Sequence, residues 1–167
     1  MTLSRVAAIG PRFLALVLLA LSAGAPHAAG RFAVSADGQE VTDSTSRLTW
    51  RRCAEGMRWD GKACSGKLVK YSYATAKQKA SAMAQAGGKS WRIPTRDELV
   101  ALVDMGRKKK PRIDTEAFPQ TPSAPFWASK PGTDDNLNAW LVNFGNGKVR
   151  GNVGQSKFAL RLVRAGA

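Results

Sequence analysis

The chain has 167 residues, enough for one sizeable core, and its 26 Lys and Arg against 12 Asp and Glu give a net charge of +14. Its only histidine, His27, falls in an N-terminal targeting segment, so the remainder has no Ser-His or Cys-His nucleophile system and lacks the commonest transition-metal ligand. This composition argues against histidine-based catalysis and for a partner that is itself anionic.

Arg5 and Arg12 precede thirteen residues without a charge, Phe13 to Ala25. That run suits the apolar core of a secretory signal peptide and falls short of the roughly 20 residues a bilayer span needs. Small residues follow at Ala28, Ala29 and Gly30, which places cleavage between Ala25 and Gly30, and no cysteine stands at the junction to take a lipid. The expected organisation is a signal peptide over 1–29 and a single domain over 30–167, periplasmic, secreted or at the cell surface, with no transmembrane span after processing. Residues 30–167 hold 24 of the 26 basic residues and all 12 acidic ones, a surplus of 12 positive charges.

Arg31 to Cys53 reads as strands, with apolar Phe32-Ala33-Val34, a turn at Asp37-Gly38 and β-type Leu48-Thr49-Trp50. Cys53 and Cys64 are the only cysteines, and ten residues lie between them, including the turn signal Asp60-Gly61. In an oxidising compartment this reads as a hairpin stapled across its strands; the spacing is not that of a redox-active CxxC pair.

Ser72 to Ala86 is expected to be a helix. Ser72 caps it, Ala76, Ala80, Met83 and Ala84 recur at helical spacing, Lys77 and Lys79 stand off that stripe, and Gly87-Gly88 ends it. A second helix of about ten residues begins at Thr95-Arg96-Asp97-Glu98, a capping box, and shows Leu99, Leu102 and Val103 on its apolar face. The box accounts for the adjacent carboxylates Asp97 and Glu98, so they are not taken as a catalytic pair.

Arg107 to Pro125 is expected to be a loop, broken by Pro111, Pro119, Pro122 and Pro125. A strand resumes at Phe126-Trp127-Ala128-Ser129; another holds Trp140, Val142 and Phe144; Gly145-Asn146-Gly147 turns the chain; and Phe158 to Val163 reads as a closing strand. Strands, two helices, then strands make an α+β layout with antiparallel sheets and hairpins.

Five features occur in order: Val41-Thr42-Asp43 with Leu48-Thr49-Trp50; the alanine-rich helix; Trp91-Arg92-Ile93-Pro94-Thr95-Arg96-Asp97-Glu98-Leu99; Ile113-Asp114 with Phe118-Pro119; and Phe126-Trp127-Ala128-Ser129. A Trp-containing strand, a glycine turn and Arg161-Leu162-Val163-Arg164 follow. The series resembles the DUF1566 family, the Lcl C-terminal domain. The resemblance implies a C-type-lectin-like α+β fold and no enzymatic activity, and the family's best-studied setting is a bacterial surface adhesin that binds sulfated glycosaminoglycans. Neither a Glu-Pro-Asn nor a Gln-Pro-Asp sugar motif is present, so calcium-mediated sugar binding does not carry over.

The candidate site is Arg107-Lys108-Lys109-Lys110-Pro111-Arg112, five positive charges within six residues. Charges this dense repel one another, and a polyanion relieves the repulsion while releasing counterions. The plainer reading of such a run is a solvated loop that aids solubility. Lys130, Lys148, Arg150 and Lys157 are candidates to extend the patch. Trp50, Trp91 and Trp127 are expected in the core, and Trp59 at the surface beside its turn. Asp134, Asn136 and Asn138 match the first ligands of a calcium loop, but Ala139 and Gly145 stand where glycine and a bidentate glutamate belong, so no metal is expected. The functional expectation is a non-enzymatic, cofactor-free exported module that binds an anionic polymer. That polymer is a sulfated or phosphorylated polysaccharide, or extracellular DNA. The alternative is an envelope module with an acidic protein partner.

Overall fold

The computed structural model describes residues 30–129, 139–151 and 156–166. The signal peptide expected over 1–29, Lys130 and the Asp134, Asn136, Asn138 segment lie outside them. In chain order the elements are β1 Phe32–Val34, β2 Glu40–Asp43, β3 Leu48–Arg51, β4 Met57–Trp59, β5 Cys64–Gly66, α1 Tyr73–Gly87, α2 Arg96–Val100, β6 Pro125–Ser129, β7 Ala139–Asn143, β8 Val149–Gly151 and β9 Val163–Ala165. They form three antiparallel sheets, ordered β1-β2-β3-β9, β4-β5 and β6-β7-β8. Among the described residues no helix is long and apolar enough to cross a membrane.

The helix caps follow the sequence. The Ser72 hydroxyl accepts the Thr75 N–H, and Gly88 closes α1 in the left-handed region at φ 59°, where a side chain is disfavoured. Ala76 and Ala80 bury their small face, with Met83 and Ala84 packed beside them. Lys79 is less isolated than its spacing suggested, for its Nζ lies 3.6 Å from the buried Glu55 carboxylate. The capping box forms in full, with Thr95 Oγ1 accepting the Glu98 N–H and Glu98 Oε2 accepting the Thr95 N–H.

The second helix is only five residues long, not ten. Leu102 and Val103 donate three residues back, to Leu99 and Val100, which tightens the chain out of the α-helix. The Asp104 amide then turns away to bond the Arg112 carbonyl.

β6 and β7 divide the interior in two. Phe126, Ala128 and Val142 face a core with Val41, Trp50, Leu99, Ile113, Phe118 and Phe144. The alternate residues Trp127, Ala139 and Leu141 face a second core with Tyr73, Ala76, Leu160 and Leu162. Both faces of these strands are buried, so their sequences read as nearly continuous apolar runs.

Phe158 to Val163 is not one closing strand. Only β9, starting at Val163, pairs regularly, and it does so with β3. The preceding residues bond a different segment at each step: Phe158 with Tyr71, Ala159 with Trp127, Leu160 with Glu55 and Leu162 with Arg51. The segment threads between sheets, which explains its burial without a ladder of its own.

Cys53 and Cys64 are bonded, with Cα atoms 5.6 Å apart. The staple differs from the one expected. Cys64 opens β5 opposite Trp59, but Cys53 precedes β4, so the bond ties the hairpin to the chain leaving β3 and does not cross the hairpin's two strands.

Candidate functional site

The basic loop is anchored at both ends by apolar residues, Leu102 and Ile113, which are buried. Between them the Asp104 carboxylate accepts the N–H groups of Gly106 and Arg107, and the Asp104 amide donates to the Arg112 carbonyl at 3.0 Å. The excursion from Asp104 to Arg112 is thereby closed at its neck. The Arg112 amide then donates to the Phe144 carbonyl at 2.7 Å, which fastens the loop to the turn after β7. Met105 lies across Gly147 of that turn, so close that a Cβ on Gly147 would sit 2.5 Å from its Sδ.

The five cations of the run do not have the same role. Arg107 Nη2 donates to the Thr115 hydroxyl at 2.9 Å, and Arg112 Nη1 to the Met105 carbonyl at 3.0 Å. Both are partly buried and hold the loop's shape. Lys108, Lys109 and Lys110 are exposed, the last preceding a cis peptide to Pro111. None of these lysines has an ion-pair partner among the described residues.

The β7–β8 turn is built by two asparagines. Asn143 Oδ1 accepts the Gly145 N–H at 2.7 Å, and Asn146 Oδ1 accepts the Lys148 N–H at 3.0 Å. Gly147 holds φ at 75°, a conformation that favours glycine. Lys148 and Arg150 leave this turn exposed, and they too are without ion pairs among the described residues. The fold therefore brings two of the expected basic segments side by side, 107–112 and 148–150. Lys157 is exposed but adjoins Phe158, which pairs with Tyr71, and nothing places it at the patch.

Five of the described carboxylates are ion-paired away from the loop, Asp97 with its neighbour Arg96 among them. Glu40 pairs with Lys89 and Arg164, Asp43 with Arg31, Glu55 with Arg51 and Lys79, and Glu98 with Arg92. Burial would raise the Glu98 carboxyl, but the Arg92 guanidinium and the Thr95 amide outweigh it and hold it below the ordinary range. Of the acids next to the loop, Asp104 and Asp114 are occupied by backbone N–H groups, and Glu116 is exposed beside them.

A sequence profile of the Lcl C-terminal domain matches residues 39–164. The chain belongs to the Lcl C-terminal domain family. No curated protein and no solved structure matches it. The matched span of the Lcl C-terminal domain includes the basic loop, the β7–β8 turn and the disulfide, and leaves β1 outside it.

The tryptophans of this Lcl C-terminal domain divide much as expected. Trp50, Trp91 and Trp127 are buried. Trp59 is half-buried, closed against Gly38 on one side and covered by the Arg52 guanidinium 3.8 Å from its ring centre. It is therefore not the open stacking surface its turn position implied. Trp140 is also half-buried, with Arg96 5.1 Å from its ring centre. Asn143 and Asn146 join the site from outside the charge run. Their signal was the spacing of Asn before Gly at a turn, where asparagine side chains bond the backbone two residues on.

Proposed function

We propose that this Lcl C-terminal domain is an exported, non-enzymatic binding module of C-type-lectin-like fold that takes an anionic polymer on the surface formed by its basic loop and β7–β8 turn. The observation that carries this reading is the standing of Lys108, Lys109 and Lys110. They are three consecutive exposed cations without ion-pair partners among the described residues, on a loop whose neck is closed and whose base is tied to a second basic segment. Folding alone gives no reason to gather such charges. A polymer bearing sulfate or phosphate relieves their repulsion and releases its counterions, with no chemical step. Family membership supports a domain of a surface or extracellular protein, and the buried disulfide suits an oxidising compartment.

The test is retention on immobilised heparin at two salt concentrations. The expected result is binding that weakens steeply with salt and is largely lost when Lys108, Lys109 and Lys110 are all replaced by glutamine. Retention unchanged by that triple substitution overturns the assignment of the surface. Binding of an acidic protein that barely responds to salt would point instead to a protein partner.

A further inference from the structure

We propose that the groove beside the β7–β8 turn is a subsite for one sulfate or phosphate ester carried on a sugar-sized unit. This rests on the polymer reading above and names residues that the loop does not supply. The groove has a volume of about 290 Å³ and is lined by Pro125, Leu141, Asn143, Asn146, Lys148 and Arg150.

Strand register brings five of these together, and the turn adds Asn146 through its bond to the Lys148 N–H. Leu141 stands opposite Arg150, and Pro125 stands opposite Asn143. The Asn143 amide donates to the Lys148 carbonyl, the next step of the same ladder. Side chains two apart on a strand share a face, so Leu141, Asn143, Lys148 and Arg150 fall on one side of the sheet.

The chemistry of the lining is one-sided. Asn143 and Asn146 each commit their Oδ1 to a backbone N–H of the turn, which leaves their NH₂ groups as what they offer a ligand. Lys148 and Arg150 are donors only. Among the described residues no carboxylate lines the groove. Four donor side chains supply more N–H groups than the two oxygens of a carboxylate accept, and match the three terminal oxygens of a sulfate or phosphate ester. The half-buried Pro125, set over the buried Leu141, gives the groove an apolar side that suits the C–H face of a sugar ring. Among the described residues no aromatic side chain lines the groove, which therefore offers none of them as the stacking platform that single-stranded nucleic acid uses. The volume stands at the lower end of small-molecule pockets, which begin at about 300 Å³, and fits one ring and not a chain.

NMR titration of the full mature protein with glucose 6-sulfate, glucose 6-phosphate, glucuronate and glucose tests this. The side-chain NH₂ signals of Asn143 and Asn146 are expected to move with the two esters, weakly with glucuronate, and not with glucose. The tighter of the two esters identifies the source. Asn146→Asp keeps the acceptor for the Lys148 N–H and so keeps the turn. That change and Arg150→Gln should each weaken ester binding by about tenfold, the loss of one charge-assisted contact. Lys62→Gln, in the β4–β5 turn, removes a charge outside the groove and should change it by less than about twofold. Shifts that map elsewhere, or that survive Asn146→Asp and Arg150→Gln, overturn the subsite. An oligothymidylate that moves the same signals more strongly than either ester overturns the sugar assignment. Heparin retention that depends on Lys108–Lys110 while the esters produce no shifts overturns the subsite alone. Ester binding in the groove without heparin retention keeps the subsite and overturns the polymer reading.

Discussion

The Arg161 guanidinium donates to the Thr121 hydroxyl at 2.7 Å, and both residues are buried. Its other Nη donates to the carbonyls of Arg51 and Arg52, where β3 ends. The Phe118 ring centre lies 4.8 Å away and that of Phe126 5.9 Å away. Burial pushes the group down to about 9, with Glu55 opposing from a distance. Removing it takes the donor from the Arg51 and Arg52 carbonyls and leaves a cavity between two rings, while the Thr121 hydroxyl keeps its bond to the Phe118 carbonyl. Arg161→Ala should therefore cost about 3–5 kcal/mol of stability, measured by urea denaturation. Arg161→Met refills the space and should recover only part of the loss. A cost below about 1 kcal/mol for the alanine variant would refute a structural role for the hydrogen bonds.

Asp43 ties the N-terminal strand to the molecule. Burial would raise its carboxyl, but the Arg31 guanidinium, the Thr45 amide and the Ser46 hydroxyl together hold it below its ordinary value of 3.8. A carboxyl lowered on folding stabilises the native state above its unfolded pKa, and that contribution disappears as pH falls through the folded value. Stability should thus decline as pH drops below about 4, and Asp43→Asn should flatten that decline while lowering stability at neutral pH. Denaturation midpoints at a series of pH values from neutral to acid decide this. Parallel curves for the two proteins would contradict it.

Much of this was legible because it is local. The Ser72 cap, the alanine face of α1 and the Thr95–Glu98 box each depend on residues within one helical turn, and each forms. Phe158 to Leu162 has the composition of a strand, yet its partner changes at every residue, and composition does not encode partner number. The site shows the same division. The charge run at 107–112 is plain in the sequence. The folding of the loop on itself removes Arg107 and Arg112 from it by giving them Thr115 and the Met105 carbonyl, and the long-range tie of the loop to the β7–β8 turn brings in Asn143 and Asn146.

The Cys53–Cys64 bond closes a short loop between two residues that are both buried. In the chain-entropy description a loop of this length stabilises by roughly 2–3 kcal/mol, through restriction of the unfolded chain. A Cys53→Ser/Cys64→Ser variant should therefore unfold at lower urea by that amount, with the m-value raised because its unfolded chain is more open. A reducing agent should do the same to the native protein and nothing further to the variant.

The loop itself divides into cations that hold shape and cations free to bind, and stability and affinity should separate along that line. Arg107→Gln and Arg112→Gln each remove a hydrogen bond from a partly buried guanidinium, to Thr115 and to the Met105 carbonyl. Each should cost about 1 kcal/mol of stability. They should also weaken heparin retention indirectly, by loosening the loop. Neutralising the exposed Lys108, Lys109 and Lys110 removes no ion pair among the described residues and relieves mutual repulsion. That variant should be as stable as the native protein, or slightly more so, while its retention falls the most. Melting temperature and elution salt measured on the native protein and these three variants give the answer. If the lysine variant lost stability in proportion to its loss of retention, the lysines would belong to the scaffold and the binding surface would lie elsewhere.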